Sequence, residues 1–371
     1  MADKFVVANI QRHSARSFRT LAPRNSLGAV SETRIVTLED LQRLENDPDI
    51  SVMRVWENEF FDFPYDPGIG AVTAASNEDN WGALAVGAEL YWGRGARGQG
   101  IKVGIIDSGF DHLHPNLHGA NLSKFFDIDR KSGAVSSPEP YDSGWHGTHC
   151  AAILCGQEID GVKRGIAPDV ELVVAKALVG FQGSEVSVQK ALELCLDEGC
   201  RIVSLSFGWP GMHDVWHDAV RNLIESGCLV FAGCGNSFGD EYDHISPANY
   251  PIPGLIAVGA HDEARNVWSQ SGGGEVQWDD SSSFGHIRVV KPELSAPGVD
   301  IVSAAPGARF RRESGTSMAT PHVAAVAACV WSEAPDQSAT EVLKTLWSLL
   351  RDAGDVGGDI RFGDGILGKP N

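Results

Sequence analysis

The sequence predicts an α/β protein built on a mostly parallel sheet with helices on both faces, preceded by a small α+β unit. Three observations carry that expectation. Short runs of Val, Ile and Ala alternate with amphipathic segments, the strand, loop, helix order that gives a parallel sheet with right-handed crossovers. That pattern starts at about Trp81, and the residues before it are patterned differently. Residues 313–328 lead from a glycine-bearing turn into a helix that is apolar on every side, and such a helix is buried.

Residues 4–10 and 50–56 read as strands, the second alternating Ile50, Val52, Arg54 and Trp56 with Ser51, Met53 and Val55. A helix opens at Thr37-Leu-Glu-Asp40, carries Leu41 and Leu44, and stops at Asp47-Pro48. Residues 11–34 read as a long loop. Pro, Gly, Ala and Ser without periodicity make 63–80 a linker. The chain therefore divides into a small unit over 1–75 and a main domain over 81–371. In the main domain, 101–106 is a buried strand that stops at Asp107, and 170–178 is another. A helix over 184–198 turns Val188, Ala191, Leu192, Cys195 and Leu196 inward. A strand at 201–207 and a helix over 213–226, with Trp216, Val220, Leu223 and Ile224 on one side, come next. Strands at 229–232 and 255–259 follow. Active groups in such a sheet collect at the carboxyl ends of the strands.

The 371 residues suffice for one large domain and a small one. A formal net charge of -19 argues against nucleic acid and anionic membranes as partners. No stretch approaches the roughly 18 apolar residues of a membrane span, and the N-terminus lacks a secretory pattern. A cytoplasmic location is expected. The seven cysteines form no Cys-x-x-Cys pair and read as reduced, buried thiols. A zinc site of His146, His149 and Cys150 does not match a known ligand spacing, so no metal ligand is assigned.

Ser317 sits at the start of the buried helix, where unpaired backbone N–H groups and the helix dipole favour a developing oxyanion. Alone, it reads as a cap. Asp107 ends a strand of Val and Ile, at the crevice or as a turn residue. His146 opens a helix start, His-Gly-Thr-His149, whose Gly147 permits close approach of another chain; His149 reads as a core histidine. Asn236 follows a strand, as a donor into the crevice or as a turn residue.

Taken together, Asp, His and Ser in this chain order, each in its own strand-end or helix-start context, make a specific pattern. Asp107-Ser-Gly109, His146-Gly-Thr-His149, Asn236 and Gly315-Thr-Ser-Met-Ala-Thr-Pro-His322 resemble the signatures of the subtilisin-like serine proteases, the subtilase (S8) family. The resemblance spans about 81–367 and implies a subtilisin-like fold. It also implies a serine endopeptidase in which Ser317 is the nucleophile, His146 the base, Asp107 the orienting acid and Asn236 an oxyanion donor. By the same resemblance Ser206, Phe207 and Gly208 form one wall of the specificity pocket and Ala232-Gly-Cys-Gly235, with Gly233, the other. Gly183 lies on the edge that pairs with residues further upstream in a peptide substrate. Trp209 departs from the small residue expected there. The chemistry needs no cofactor; structural calcium is common in the family, with no ligands assigned here.

Residues 41–56 resemble the end of a subtilase prosegment, which implies an autoprocessed zymogen whose own N-terminal domain blocks the cleft. Cleavage is expected between about 66 and 80. Cys150 follows His149 as in the thiol-bearing subtilases similar to proteinase K. Asp240, Glu241 and Asp243 lie where they could favour a basic residue before the scissile bond, or simply form a solvated acidic loop. The alternative function is a catalytically silent binding or regulatory protein on the same scaffold.

Overall fold

The structure, a computed structural model, describes residues 5–12, 31–47, 50–56, 60–62, 71–72, 80–240 and 244–370. Its centre is a 10-stranded sheet. In spatial order the sheet holds Leu350–Arg351, Ile366–Leu367, Leu294–Pro297, Leu255–His261, Leu229–Gly233, Ile202–Leu205, Lys102–Asp107, Glu171–Lys176, Leu122–Ile128 and Val135–Ser136. All neighbours pair parallel except at the two edges, where Leu350–Arg351 and Val135–Ser136 run antiparallel. The expected α/β class is therefore the one observed.

Parallel strands are covered on both faces, and these sequences show why. Val103 and Ile105 enter one apolar cluster with Val323, Val326 and Leu154, whereas Ile106, Val203 and Leu205 enter the opposite one with Val188, Leu192, Val220 and Leu223. Helices His146–Cys155 and Thr316–Glu333 cover the first face, and Glu185–Asp197 and His217–Glu225 the second. The start of Glu185–Asp197 is fixed by a reciprocal box. Ser184 Oγ accepts from Ser187 N and Ser187 Oγ accepts from Ser184 N, each at 3.2 Å, a cap worth about 1 kcal/mol.

Two helices differ from expectation. The helix expected over 213–226 begins only at His217. The phenol of Tyr250 donates to His213 O at 2.7 Å and accepts from Trp216 N, which holds those residues in a turn. Pro321 lies within four residues of Ser317, a spacing that by itself suggests a first-turn position where its missing N–H costs nothing, but it is the sixth residue of Thr316–Glu333. A proline there leaves the carbonyl four residues back, that of Ser317, without its helical donor. Ser206 Oγ donates to that carbonyl at 2.9 Å and Cys150 Sγ at 3.5 Å. The break in the helix ladder thus ties Ser317 to two neighbouring elements.

The N-terminal strands Phe5–Arg12, Ser31–Thr37 and Ile50–Trp56 form a separate antiparallel sheet in the order second, first, third, beside helix Leu38–Glu45. Val36 and Leu41 are its buried centre, with Leu44, Ile50 and Val52 packed around them. Ser31–Thr37 falls partly in what the sequence suggested was loop. Most of the expected linker lies outside the described residues, but Ala71–Val72 pairs with Arg309–Glu313 on the main domain.

Along the sheet, the chain moves outward from Lys102–Asp107 to Leu122–Ile128 and Glu171–Lys176. It then returns past its start to Ile202–Leu205. The order of strands reverses between Lys102–Asp107 and Ile202–Leu205, and a crevice opens at their carboxyl ends.

Candidate active site

Asp107 closes its strand at that crevice with no exposed surface, and His146, 3% exposed, is the first residue of helix His146–Cys155. The helix start docks directly on the turn after Asp107. A methyl group on Gly147 would overlap Gly109 O, and one on Gly109, whose φ is 134°, would overlap Tyr141 O. This close approach, anticipated for Gly147, sets His146 Nδ1 at 2.9 Å from both Asp107 oxygens. Asp107 Oδ1 also accepts from Ser108 N at 2.7 Å. With a proton on Nδ1 shared with the carboxylate, Nε2 is the basic nitrogen. Burial opposes the imidazolium, but the Asp107 charge and the adjoining Cys150 hold the His146 pKa well above the ordinary histidine value.

Ser317 lies at the N-terminal turn of Thr316–Glu333 and is 8% exposed. Its Oγ donates to Ser206 O at 2.8 Å, while Ser206 Oγ donates back to Ser317 O. Cys150 Sγ lies between the two sides of the crevice, 3.9 Å from His146 Nδ1 and 3.5 Å from Ser317 O. Burial pushes the Cys150 thiol pKa up. All seven cysteines are free and buried.

Asn236 is oriented by its neighbour. Its Oδ1 accepts from Thr316 N and from Thr316 Oγ1, both at 3.0 Å. Because a backbone amide can only donate, this fixes which end of the side-chain amide is oxygen. The nitrogen is the end left to face the cleft. Ser206, Phe207, Gly208, Gly233, Gly235, Asn236, Ile245, Thr316 and Ser317 line one pocket. Six of these, Ser206, Phe207, Gly208, Gly233, Gly235 and Asn236, were expected there with Ser317; Ile245 and Thr316 were not singled out. Ile245 fills the space a side chain at Gly208 would need. Among the described residues no carboxylate belongs to that lining. Asp240 is exposed, and Glu241 and Asp243 lie outside the described residues.

His149 is separate from this chemistry. Burial, then the nearby His146 charge, lower its pKa to about 3, and Nε2 lies 3.2 Å from Arg311 O. The zinc triple of His146, His149 and Cys150 is thus not assembled. Among the described residues, the three potential metal ligands that do converge are Asp107, His146 and Cys150, with ligand atoms within 4.8 Å of one another.

Gly183 lies on the strand Gln182–Ser184, and a strand of the chain itself, Phe60–Asp62, pairs antiparallel with it. Phe61 is buried against Trp209, with ring centroids 5.6 Å apart and planes at 15°, and meets the edge of Trp216 at 5.6 Å. A methyl group on Gly183 would overlap the Phe61 ring. Trp209 in turn stacks on His213 at 3.6 Å. The larger residue at 209 therefore forms a wall of an aromatic slot. Phe61 itself carries no local sequence signal, because its partners lie more than a hundred positions away.

Comparison with known proteins bears on the arrangement as a whole. A family model described as the subtilase family matches residues 98–365. The chain is 28% identical over 375 residues to the M-protease of Shouchella clausii (strain KSM-K16), covering 98% of this chain and 90% of that protein. It is 31% identical over 290 residues to Subtilisin Savinase of Lederbergia lenta, covering 77% and 96% respectively. Identity is 30% over 263 residues to the major intracellular serine protease of Bacillus subtilis (strain 168), covering 69% of this chain and 76% of the relative.

Proposed function

The chain belongs to the subtilase family, and from that premise we propose that it is a serine endopeptidase acting through Asp107, His146 and Ser317. The observation that carries the reading is the buried Asp107–His146 pair, in which the carboxylate holds Nδ1 and so makes Nε2 the basic nitrogen. In the reaction the Ser317 hydroxyl turns from Ser206 O to His146 Nε2 and loses its proton as Oγ attacks the peptide carbonyl. The imidazolium, stabilised by Asp107, returns that proton to the leaving amine; water then hydrolyses the acyl-enzyme by the same route. The Asn236 amide and the Ser317 N–H receive the oxyanion. No cofactor enters these steps. A fluorophosphonate probe tests the reading: covalent label on Ser317 supports it, whereas an unlabelled, folded chain would point to a silent scaffold.

The pH dependence follows from the site's electrostatics. Only neutral imidazole accepts the serine proton, so the rate falls as pH drops through the His146 pKa. Since that pKa is raised, the acid limb of kcat/KM is expected above pH 6.5. Asp107→Asn removes the stabilising charge and should shift the limb to lower pH at a much reduced rate. An acid limb below 6.5 in the unmodified chain would contradict this electrostatic account.

The N-terminal unit, residues 1–75, is proposed to be a prosegment that the enzyme removes from itself. The pairing of Phe60–Asp62 with Gln182–Ser184 supports this, since an extended peptide on that edge occupies a substrate's place. Phe61 is its anchor. Phe61→Ala should weaken the segment's hold by on the order of 10²-fold, as loss of a buried aromatic ring implies. Measured on chains whose cleavage site is blocked, residual activity should rise accordingly; unchanged inhibition would show that the segment is not the inhibitor.

Cys150 gives a second handle. A mercurial bound at its sulfur would displace the His146 ring, so stoichiometric modification should abolish activity and Cys150→Ala should be resistant. Full activity after modification of that thiol would refute the idea. Among the described residues no helix is long and apolar enough to cross a membrane. The free thiols are in keeping with the proposed cytoplasmic location.

A further inference from the structure

We propose that Asp142 is a positioning residue that sets the geometry of the Asp107–His146 pair by clamping the strand end that carries one to the helix start that carries the other. The inference rests on the catalytic reading of that pair. Asp142 sits four residues before His146, in the loop entering the helix, and its carboxylate accepts four hydrogen bonds. Oδ1 takes Ser108 Oγ at 2.8 Å and Gly144 N at 2.9 Å. Oδ2 takes Thr148 N at 2.8 Å and Thr148 Oγ1 at 2.6 Å.

The partners matter more than their number. Ser108 is the residue after Asp107, and Thr148 is two residues past His146. The clamp closes on itself, because Gly147 N donates to Ser108 Oγ at 3.1 Å and Asp111 N to Thr148 Oγ1 at 3.0 Å. The helix His146–Cys155 has no side-chain cap from its N-cap residue Trp145. Its first-turn amides are instead satisfied by Ser108 and Asp142, two groups outside the helix. Where His146 sits is therefore decided by side chains anchored on the Asp107 turn. Asp142 acts on where the backbones of Asp107 and His146 stand, through Ser108 and Thr148.

Displacement of a reacting group by about 1 Å can cost on the order of 10²-fold in rate. Asp142→Ala is expected to lower kcat per fluorophosphonate-titrated site about 10²-fold with KM within twofold. Asp142→Asn, whose amide oxygen can still take the Thr148 donors, should recover most of that loss. Ser108→Ala cuts only the strand side of the clamp and should cost roughly 10-fold, less than additively with Asp142→Ala because the two share a bond. A residue that merely holds the fold together would lower the melting temperature and the fraction of titratable sites while leaving the rate per site intact; that result would overturn the proposal, as would equal losses for Ala and Asn. Should Asp142→Ala not fold, Ser108→Ala and Asp142→Asn carry the same comparison.

A readout independent of turnover separates this inference from the protease reading. The low-field proton resonance of His146 Nδ1–H, bonded to Asp107, should broaden or move upfield in Asp142→Ala. If the unmodified chain shows that resonance but no label on Ser317, the protease reading fails and the resonance alone judges the clamp. An unchanged resonance in the variant overturns the clamp whatever the activity.

Discussion

Ser317→Ala is expected to lower kcat by about 10⁶-fold, the size reported for subtilisin, a relative of this chain, when its nucleophile or base is removed. The change is small for the fold. It removes one hydroxyl donating to Ser206 O, a neutral hydrogen bond worth about 1 kcal/mol, while Ser206 Oγ and Cys150 Sγ still hold the carbonyl of residue 317. Loss of activity without loss of structure is thus the signature to look for, by peptide hydrolysis alongside thermal unfolding. The same variant addresses self-processing. If the N-terminal unit is removed by the enzyme's own site, Ser317→Ala stays at full length on expression. A variant that retains even about 1% of activity would move the nucleophile elsewhere, since a 10⁶-fold effect leaves no such remainder. A variant that is inactive yet shortened would assign the processing to another protease.

The second large effect is expected at Asn236. Replacing it by Ala should cost about 10²–10³ in kcat with little change in KM, the range known for an oxyanion-hole amide in subtilisin. The split follows from when the bond forms: the oxyanion exists only once Oγ has attacked, so the donor strengthens the transition state and not the bound substrate. Asn236→Asp is the more discriminating variant. It keeps the shape and an acceptor for Thr316 N and Thr316 Oγ1, but presents a second oxygen where the amide nitrogen stood. It should be at least as damaging as Ala. Should kcat for both stay within threefold of the unmodified chain, Asn236 would be no more than a brace for the helix start at Thr316.

What could be read from the sequence was decided locally. Asp107, His146, Asn236 and Ser317 each stand at a strand end or helix start that a short stretch of chain announces. The alternation of strands and helices announced a parallel sheet, but not the strand order or the place where it reverses. Asp142 shows the opposite case. In a loop of Ser, Gly and Pro it is indistinguishable from any turn carboxylate, and its importance comes only from Ser108 and Thr148 meeting it in space. Phe61 is similar, an aromatic residue whose slot is built from Trp209, Trp216 and Phe207, all far along the chain. Pro321 is a third case, because its nearness to Ser317 in the chain suggests a first-turn position that the start of the helix at Thr316 does not give it. Its true place, one turn later, is what releases the Ser317 carbonyl to Ser206 and Cys150. The late start of His217–Glu225 was likewise hidden, because the phenol of Tyr250 that holds the preceding turn arrives from another element.

The order in which these parts leave the ribosome has its own consequence. The small sheet and Phe61 are translated before Asp107 and His146, and the helix bearing Ser317 after them. On the proposed assignment of Ser317 as nucleophile, a nascent chain has no attacking group until that helix is made, and the strand Phe60–Asp62 that pairs with Gln182–Ser184 precedes it. On the roles proposed for these residues, the order of elements along the chain itself works against self-digestion during translation.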